Sequence, residues 1–243
     1  MKPTVRVAFE SIRAASRMLL SEQQKADSIH VEYKTKQELV SKIDTLSQDI
    51  IFNDLQTKYP NHQYISEEQG PTPELTDEPT WVLDPLDGTH NYLNQLPFFT
   101  ISLALYENKK PIHALVYAPS FDELYYASKG EGAYRNQSRI RTSNRPNSIS
   151  MIGIEQSVSP LIIEGLEKNK SLIKIRRFGC TSLSICYVAC NKLQLFYTQS
   201  PNLWDSAAAE LIALESGSIV NSNKSHYIIA PPKTYSMFKD VFK

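Results

Sequence analysis

One stretch of the sequence, residues 80–92, combines an apolar run with closely spaced acids and a glycine. It reads T-W-V-L-D-P-L-D-G-T-H-N-Y. The apolar run at residues 81–83 is typical of a buried β-strand. Asp84 and Pro85 follow and predict that the strand ends there. The chain therefore places a carboxylate at the point where a strand leaves the core.

Asp87 and Gly88 extend this feature. Because Pro85 has no backbone N–H and Gly88 accepts angles that other residues avoid, we expect a sharp turn in which Asp84 and Asp87 converge. The turn is expected to leave the amides of Gly88 and Thr89 free, so that they can bind an anion. Two carboxylates this close repel each other and are usually stabilised by a shared proton or a divalent cation. The stretch predicts a cation site beside an anion site, with an acidic turn before a helix as the alternative.

The charge balance bounds the class of partner. The chain has 243 residues, with 26 basic and 26 acidic side chains, so no net field favours a nucleic acid or a membrane surface. The densest basic group is Arg135, Arg139, Arg141 and Arg145. It lies in a turn-rich segment without aromatic residues, which is typical of a solvated loop. We expect a small anionic metabolite as partner, no nucleic acid and no membrane.

Apolar spacing and cysteine usage bear on the compartment. Residues 1–22 show helical spacing rather than a continuous apolar run, and the longest apolar candidate, residues 98–105, contains Thr100 and Ser102. The cysteines Cys180, Cys186 and Cys190 are odd in number and lack zinc-ligand spacing. They are interpreted as reduced core thiols, which predicts a cytoplasmic protein.

The hydrophobic periodicity predicts two long helices, then an antiparallel meander, then strands alternating with helices. Residues 69–79 are interpreted as a mobile flap or connection. The predicted helices are residues 1–22, 38–59, 160–168, 182–189, 204–216 and 234–242. The predicted strands are residues 62–65, 81–83, 100–106, 112–117, 123–127, 133–134, 150–155, 173–176, 193–198 and 227–230.

An ordered set of motifs accompanies residues 80–92. They are Lys34, E-L-V-S-x-x-D ending at Asp44, S-E-E at residues 66–68, G-E-G-A-Y at residues 130–134 and W-D-S-A-A at residues 204–208. The set resembles the inositol monophosphatase family of magnesium-dependent, lithium-sensitive phosphomonoesterases. The resemblance implies an α/β (α+β layered sandwich) fold with alternating α and β layers. It also implies one domain over residues 1–243, with approximate sub-halves 1–145 and 146–243, and a homodimer.

The resemblance also implies a site for two or three Mg²⁺ ions. Glu67, Asp84 and the Leu86 carbonyl would hold the first ion, and Asp84, Asp87 and Asp205 the second. Asp44 with Thr89 would orient the attacking water, and Glu68 would lie in or next to the metal shell. The implied substrate-binding residues are Gly88, Thr89, Lys34, Thr181 and Thr198.

Each implied ligand also has a structural interpretation. An aspartate such as Asp44 on a helix is usually a surface residue. Paired acids such as Glu67 and Glu68 in a loop are most often solvated, and Asp205 suits the N-terminus of a helix because of the helix dipole.

Three departures from the family pattern limit what the resemblance implies. His90 replaces a small hydroxyl residue, and residues 215–218 replace a more glycine-rich ending. Inositol-hydrolysing members carry an acid seven positions before the last metal aspartate, where this chain has Thr198. The sequence thus predicts a phosphatase for a small phosphate monoester, such as an inositol monophosphate or a sugar phosphate. The alternatives are a 3′-phosphonucleotide or sugar-bisphosphate phosphatase, and a regulatory or binding protein that keeps the fold without turnover.

Overall fold

The computed structural model describes residues 1–28, 36–70, 74–143, 150–155, 164–165, 168, 173–223 and 226–241. Lys34 and Arg145 lie outside these residues, as does most of the helix predicted at residues 160–168.

The described residues form helices and strands in a mixed order. The helices are α1 (Pro3–Ser28), α2 (Lys36–Lys58), α3 (Thr89–Leu93), α4 (Thr181–Ala189), α5 (Leu203–Ser216) and α6 (Pro232–Phe238). The strands are β1 (Gln63–Ser66), β2 (Thr80–Asp87), β3 (Thr100–Glu107), β4 (Lys110–Ala118), β5 (Glu123–Ser128), β6 (Gly132–Arg135), β7 (Ser138–Ile140), β8 (Ser150–Ile154), β9 (Ile173–Arg176), β10 (Leu195–Thr198), β11 (Ile219–Ser222) and β12 (Tyr227–Ala230). No described helix is both long and apolar enough to cross a membrane.

The strands form two sheets. In the first, β1 to β7 lie in sequence order; β1 is parallel to β2 and the other neighbours are antiparallel. This confirms the predicted meander. The second sheet has the order β11-β12-β10-β8-β9, in which β8 is parallel to both β9 and β10. The predicted division of the chain into sub-halves stays a prediction.

The alternation of side chains along the strands builds the layers. In β2, Trp81 and Leu83 pack in a cluster with α1 and α2, whereas Val82 packs on the opposite face with α4 and α5. In β10, Phe196 joins that second cluster, while Leu195 packs on the far side with α6. Layers of helices and sheets therefore alternate from α1 and α2 to α6, and the predicted layered α/β fold is confirmed.

Several predicted boundaries were wrong. Strand β2 does not end at Asp84 and Pro85 but continues to Asp87, because an irregularity in its pairing with β3 between Asp84 and Asp87 accommodates the proline. Helix α1 extends to Ser28. Strands β7 and β11 are short and were not predicted, since isolated runs of three or four residues carry little periodic signal.

Gly88 fixes the turn that follows β2. Its φ of 91° and ψ of 34° are left-handed, and a Cβ atom built there would lie 2.6 Å from the Phe98 carbonyl oxygen. The turn thus requires glycine both for its backbone angles and for its close approach to a neighbouring segment.

We predict that Gly88→Ala lowers the free energy of unfolding by at least about 2 kcal/mol, because it adds a backbone collision to the strain of a positive φ. Gly217 is a matched control, with φ 93° and ψ 16° and with no atom closer than 3.7 Å to a built Cβ. Gly217→Ala should cost only about 1 kcal/mol. Urea denaturation measures both variants, and equal losses would show that the collision is relieved by local movement.

Candidate active site

Strand pairing brings the acids of separate motifs to one edge of the first sheet. Ser66 pairs with Leu83 in the parallel β1–β2 ladder, so Glu67, which follows β1, is next to Asp84 within β2. Glu67 and Glu68 continue into a 3₁₀ turn and are exposed, whereas Asp84 is 2% exposed. The buried end of β2 thus faces an acidic rim.

The turn after Asp84 is held by polar contacts. The Leu86 amide donates to Asp84 Oδ1 at 3.0 Å, and Thr89 Oγ1 donates to the Leu86 carbonyl oxygen at 2.9 Å. The buried Ser47 hydroxyl of α2 donates to the Pro85 carbonyl oxygen at 2.9 Å. Ser47 was not predicted as part of the site; it lies one turn beyond Asp44 on the same helix, which was the available signal.

Asp87 is bound by the N-terminal turn of α4, 95 residues away. Its Oδ2 accepts hydrogen bonds from the Ser182 amide at 2.7 Å and the Ser182 hydroxyl at 2.6 Å, and the Thr181 amide donates to Oδ1 at 3.2 Å. The Cys180 thiol is 3.2 Å from Oδ2. The predicted site residue Thr181 is thus next to Asp87, and Ser182, which sequence reasoning missed, is its main partner.

Asp205 has the helix-terminal role that was its structural interpretation. Its Oδ2 accepts hydrogen bonds from the Asn202 amide at 3.1 Å and the Asn202 side chain at 3.3 Å, in a capping box at the start of α5. This does not separate it from the acids, because the charges of Asp87 and Glu67 act on it.

The acids raise one another's pKa values. Burial raises the pKa of Asp84 well above its ordinary value, and the charges of Asp87, Glu67 and Asp205 raise it further. Burial, with the charge of Asp87, raises the pKa of Asp205 to about 7. Partial desolvation, with the charges of Glu68 and Asp87, raises the pKa of Glu67. Six predicted residues, Asp44, Glu67, Glu68, Asp84, Asp87 and Asp205, thus lie within one field of negative charge.

Asp44 is a buried residue of this group rather than a surface residue of α2. It is 6% exposed, and its Oδ1 has no hydrogen-bond partner among the described residues. Burial, followed by the charges of Glu68 and Glu67, raises the pKa of Asp44 to about 8. An unpartnered buried carboxyl oxygen indicates a group that a proton or a cation completes.

The chemistry of these side chains fits a hard divalent cation. The group offers only oxygen donors, as Mg²⁺ prefers, and none of its members forms an ion pair with a described lysine or arginine. In the described part of the chain, no three His, Cys, Asp or Glu side chains already surround one point as ligands. Asp87 and Asp205 instead point to the donors of α4 and Asn202, so ion binding requires these side chains to turn or to share their oxygens.

The remaining residues that the sequence analysis singled out lie at different positions relative to the acids. Gly88 precedes α3 and Thr89 begins it, where amides lack intrahelical acceptors. Thr198 is buried at the end of β10. Lys34 lies outside the described residues. His90 is exposed.

Glu215, in the departing segment 215–218, accepts hydrogen bonds from the amides of Gly130 and Gly132. This acid therefore ties α5 to the turn before β6.

A family model matches this chain over residues 1–236, and its description is inositol monophosphatase family. The chain belongs to the inositol monophosphatase family. It is 35% identical over 233 residues to inositol monophosphatase 2 of Solanum lycopersicum, which covers 90% of this chain and 87% of the relative. It is 32% identical over 226 residues to Nus factor SuhB of Xylella fastidiosa, covering 90% and 82%.

Solved structures share the fold as well. The extragenic suppressor protein suhB from Bartonella henselae superposes with a TM-score of 0.84 at 27% identity, covering 100% of both chains. The resemblance inferred from the ordered motifs is thus confirmed. Membership in this family supports a phosphatase, and the SuhB names leave a regulatory role open.

We predict that the metal-free protein loses stability as the pH rises from about 4 to about 8. The folded pKa values of Asp44, about 8, and Asp205, about 7, exceed the ordinary aspartate value of 3.8. The folded state therefore binds more protons in this range, so the stabilisation is complete below pH 4 and is lost by pH 8. Thermal unfolding in EDTA at a series of pH values measures this slope.

Asp44→Asn should flatten part of that slope, because one titrating group is removed. Asp49→Asn is the matched control on the same helix, since Asp49 is exposed. It should leave the slope unchanged. A flat profile for the wild-type protein would contradict the proposed electrostatic strain.

Proposed function

We propose that this protein hydrolyses a small phosphate monoester and that Mg²⁺ is its cofactor. The observation that carries the proposal is the group of six acids at the ends of β1, β2 and α5 and on α2, whose charges raise one another's pKa values. Such a cluster is costly unless protons or cations neutralise it. Family membership supports the same reaction class.

The residues divide into two proposed metal positions. Glu67, Asp84 and the Leu86 carbonyl would hold one ion, and Asp84, Asp87 and Asp205 a second. The Leu86 carbonyl keeps a lone pair for this role, since Thr89 is its one side-chain donor in the described part of the chain. When bound, Mg²⁺ supplies positive charge to the phosphoryl and leaving oxygens and lowers the pKa of water.

The proton path is assigned to Asp44 and Thr89. The Thr89 hydroxyl donates its proton to Leu86, so its lone pairs are left to accept a hydrogen bond from the attacking water. Asp44 has an unpartnered Oδ1 that can accept a proton once its carboxyl group is ionised. Glu68 lies beside these groups and adds negative charge to Asp44. The amides of Gly88 and Thr89 are proposed to receive the phosphate.

A second candidate function is regulatory, because one relative is named Nus factor SuhB. The intact set of acids favours turnover, since a purely regulatory protein would not need to maintain repelling carboxylates. A homodimer in the cytoplasm, with a phosphorylated metabolite as partner, completes the proposal. Phosphate release from inositol, sugar, glycerol and nucleotide phosphates separates the candidates: no release from any of them would support regulation.

We predict that Asp84→Asn lowers kcat/KM by at least about 100-fold in saturating Mg²⁺ while the protein stays folded. Asp84 is proposed to contact both ions, and its carboxylate accepts one hydrogen bond, from the Leu86 amide. Phosphate release at several Mg²⁺ concentrations, with circular dichroism as the folding check, measures the effect.

Asp49→Asn, an exposed change on α2, serves as the control and should keep full activity. Equal turnover by Asp84→Asn and the wild-type protein would refute the proposed metal site.

A Li⁺ titration at millimolar order in the same assay should inhibit the wild-type protein by competition at the second metal position. Unchanged rates would argue against that position.

We predict that Thr198 influences the choice of substrate rather than catalysis. Threonine offers one short hydroxyl and no charge, whereas a carboxylate would accept hydrogen bonds from a polyol. Thr198→Glu should shift the kcat/KM ratio towards inositol 1-phosphate by roughly 10-fold, with Mg²⁺ dependence intact. Measuring kcat/KM of the wild-type protein and of Thr198→Glu on inositol 1-phosphate and on another monoester tests this. An unchanged ratio would mean that other residues determine specificity.

A further inference from the structure

Glu155 lies beside Thr198 at the edge of the second sheet. Strands β8 and β10 are parallel, and Ile154 pairs with Tyr197. The Glu155 amide continues the ladder by donating to the Tyr197 carbonyl oxygen at 3.3 Å. Glu155 and Thr198 therefore follow paired residues and emerge next to each other at the same ends of neighbouring strands.

The Glu155 side chain reaches the turn that binds Asp87. Its Oε2 accepts a hydrogen bond from the Gly179 amide at 2.8 Å, and its Oε1 accepts one from the Ser184 hydroxyl at 2.7 Å. Asp87 accepts its hydrogen bonds from Thr181 and Ser182, in the same turn and helix start. Glu155 and Asp87 are thus held by adjacent parts of one segment.

Charge coupling places Glu155 near the acidic site. Burial is the main cause that raises the pKa of Glu155. Hydrogen bonds from Ser184 and Gly179 lower this pKa in part, and the charge of Asp87 raises it further. Glu155 forms no ion pair with any lysine or arginine in the described ranges. Glu155 is therefore a half-buried acid near Asp87, and no basic side chain among the described residues neutralises it.

The carboxylate has acceptor capacity left. An ionised carboxylate offers about four acceptor positions, and donors from Ser184, Gly179 and the Phe178 backbone account for three. The remaining position suits a hydroxyl donor.

We infer that Glu155 is a specificity-determining residue whose carboxylate accepts a hydrogen bond from a hydroxyl group on the alcohol portion of the substrate. A substrate whose alcohol portion carries a further hydroxyl group would donate to this acceptor. Thr198, next to Glu155, supplies a second polar group at the same edge. This inference rests on the proposed phosphatase function.

The test compares two substrates in one variant. Glu155→Gln should lower kcat/KM for glycerol 2-phosphate and inositol 1-phosphate by about 10-fold to 100-fold, since a hydrogen bond to a charged acceptor is lost. Its effect on phenyl phosphate, whose alcohol portion carries no further hydroxyl, should stay below about 3-fold by the same reasoning.

Ser184→Ala is the matched control for a structural role. It removes a donor that braces Glu155 but keeps the carboxylate, so thermal unfolding can shift while the ratio between substrates stays constant. If Glu155→Gln does not fold, Glu155→Asp retracts the charge by one methylene and should shift the ratio in the same direction.

The outcomes distinguish the two proposals. A wild-type protein that hydrolyses none of these substrates overturns the proposed function and the inference with it. If the wild-type protein is active and Glu155→Gln lowers kcat/KM equally for all substrates, the inference alone is overturned. Glu155 would then be a residue that stabilises the 178–184 segment. A ratio change of equal size in Ser184→Ala overturns the inference in the same way.

Discussion

Repulsion among buried and half-buried carboxylates is the constraint on which the rest of this structure depends. Asp84 is 2% exposed and is surrounded by the charges of Asp87, Glu67 and Asp205. Folding must overcome this repulsion, and the layers of helices and sheets provide the apolar burial that does so. Protons offset the repulsion at low pH, and a divalent cation would offset it at neutral pH. The strain is therefore the physical link between the fold and the proposed metal-dependent reaction.

Two of the proposed ligands also accept hydrogen bonds at the starts of helices. Asp87 accepts hydrogen bonds at the start of α4, and Asp205 does so at the start of α5. Their removal would disturb helix ends as well as ion binding. Asp84 accepts from the Leu86 amide, so its substitution separates catalysis from folding more cleanly. The acids that are proposed to bind the ion thus also accept hydrogen bonds at the starts of α4 and α5.

Specificity is proposed to arise at the second sheet, whereas most of the proposed ion ligands lie at the first. The turn before α4 connects them, because it binds Asp87 on one side and Glu155 on the other. Changes in the alcohol-binding edge can therefore alter substrate choice without removing an ion ligand.

The sequence by itself determined the meander and the convergence of Asp84 with Asp87, because local periodicity and turn residues carry that information. The layered fold class and the site roles of Glu67, Glu68 and Asp205 came from the family resemblance. Asp44 needed the family resemblance, since a lone helical aspartate is ordinarily exposed. Only the tertiary structure decided that β2 continues to Asp87, that Ser182 binds Asp87 and that Glu155 lies beside Thr198. Ser182 and Asp87 are 95 residues apart, and Glu155 and Thr198 meet through strand pairing. No local pattern encodes such contacts, because they depend on how distant elements pack.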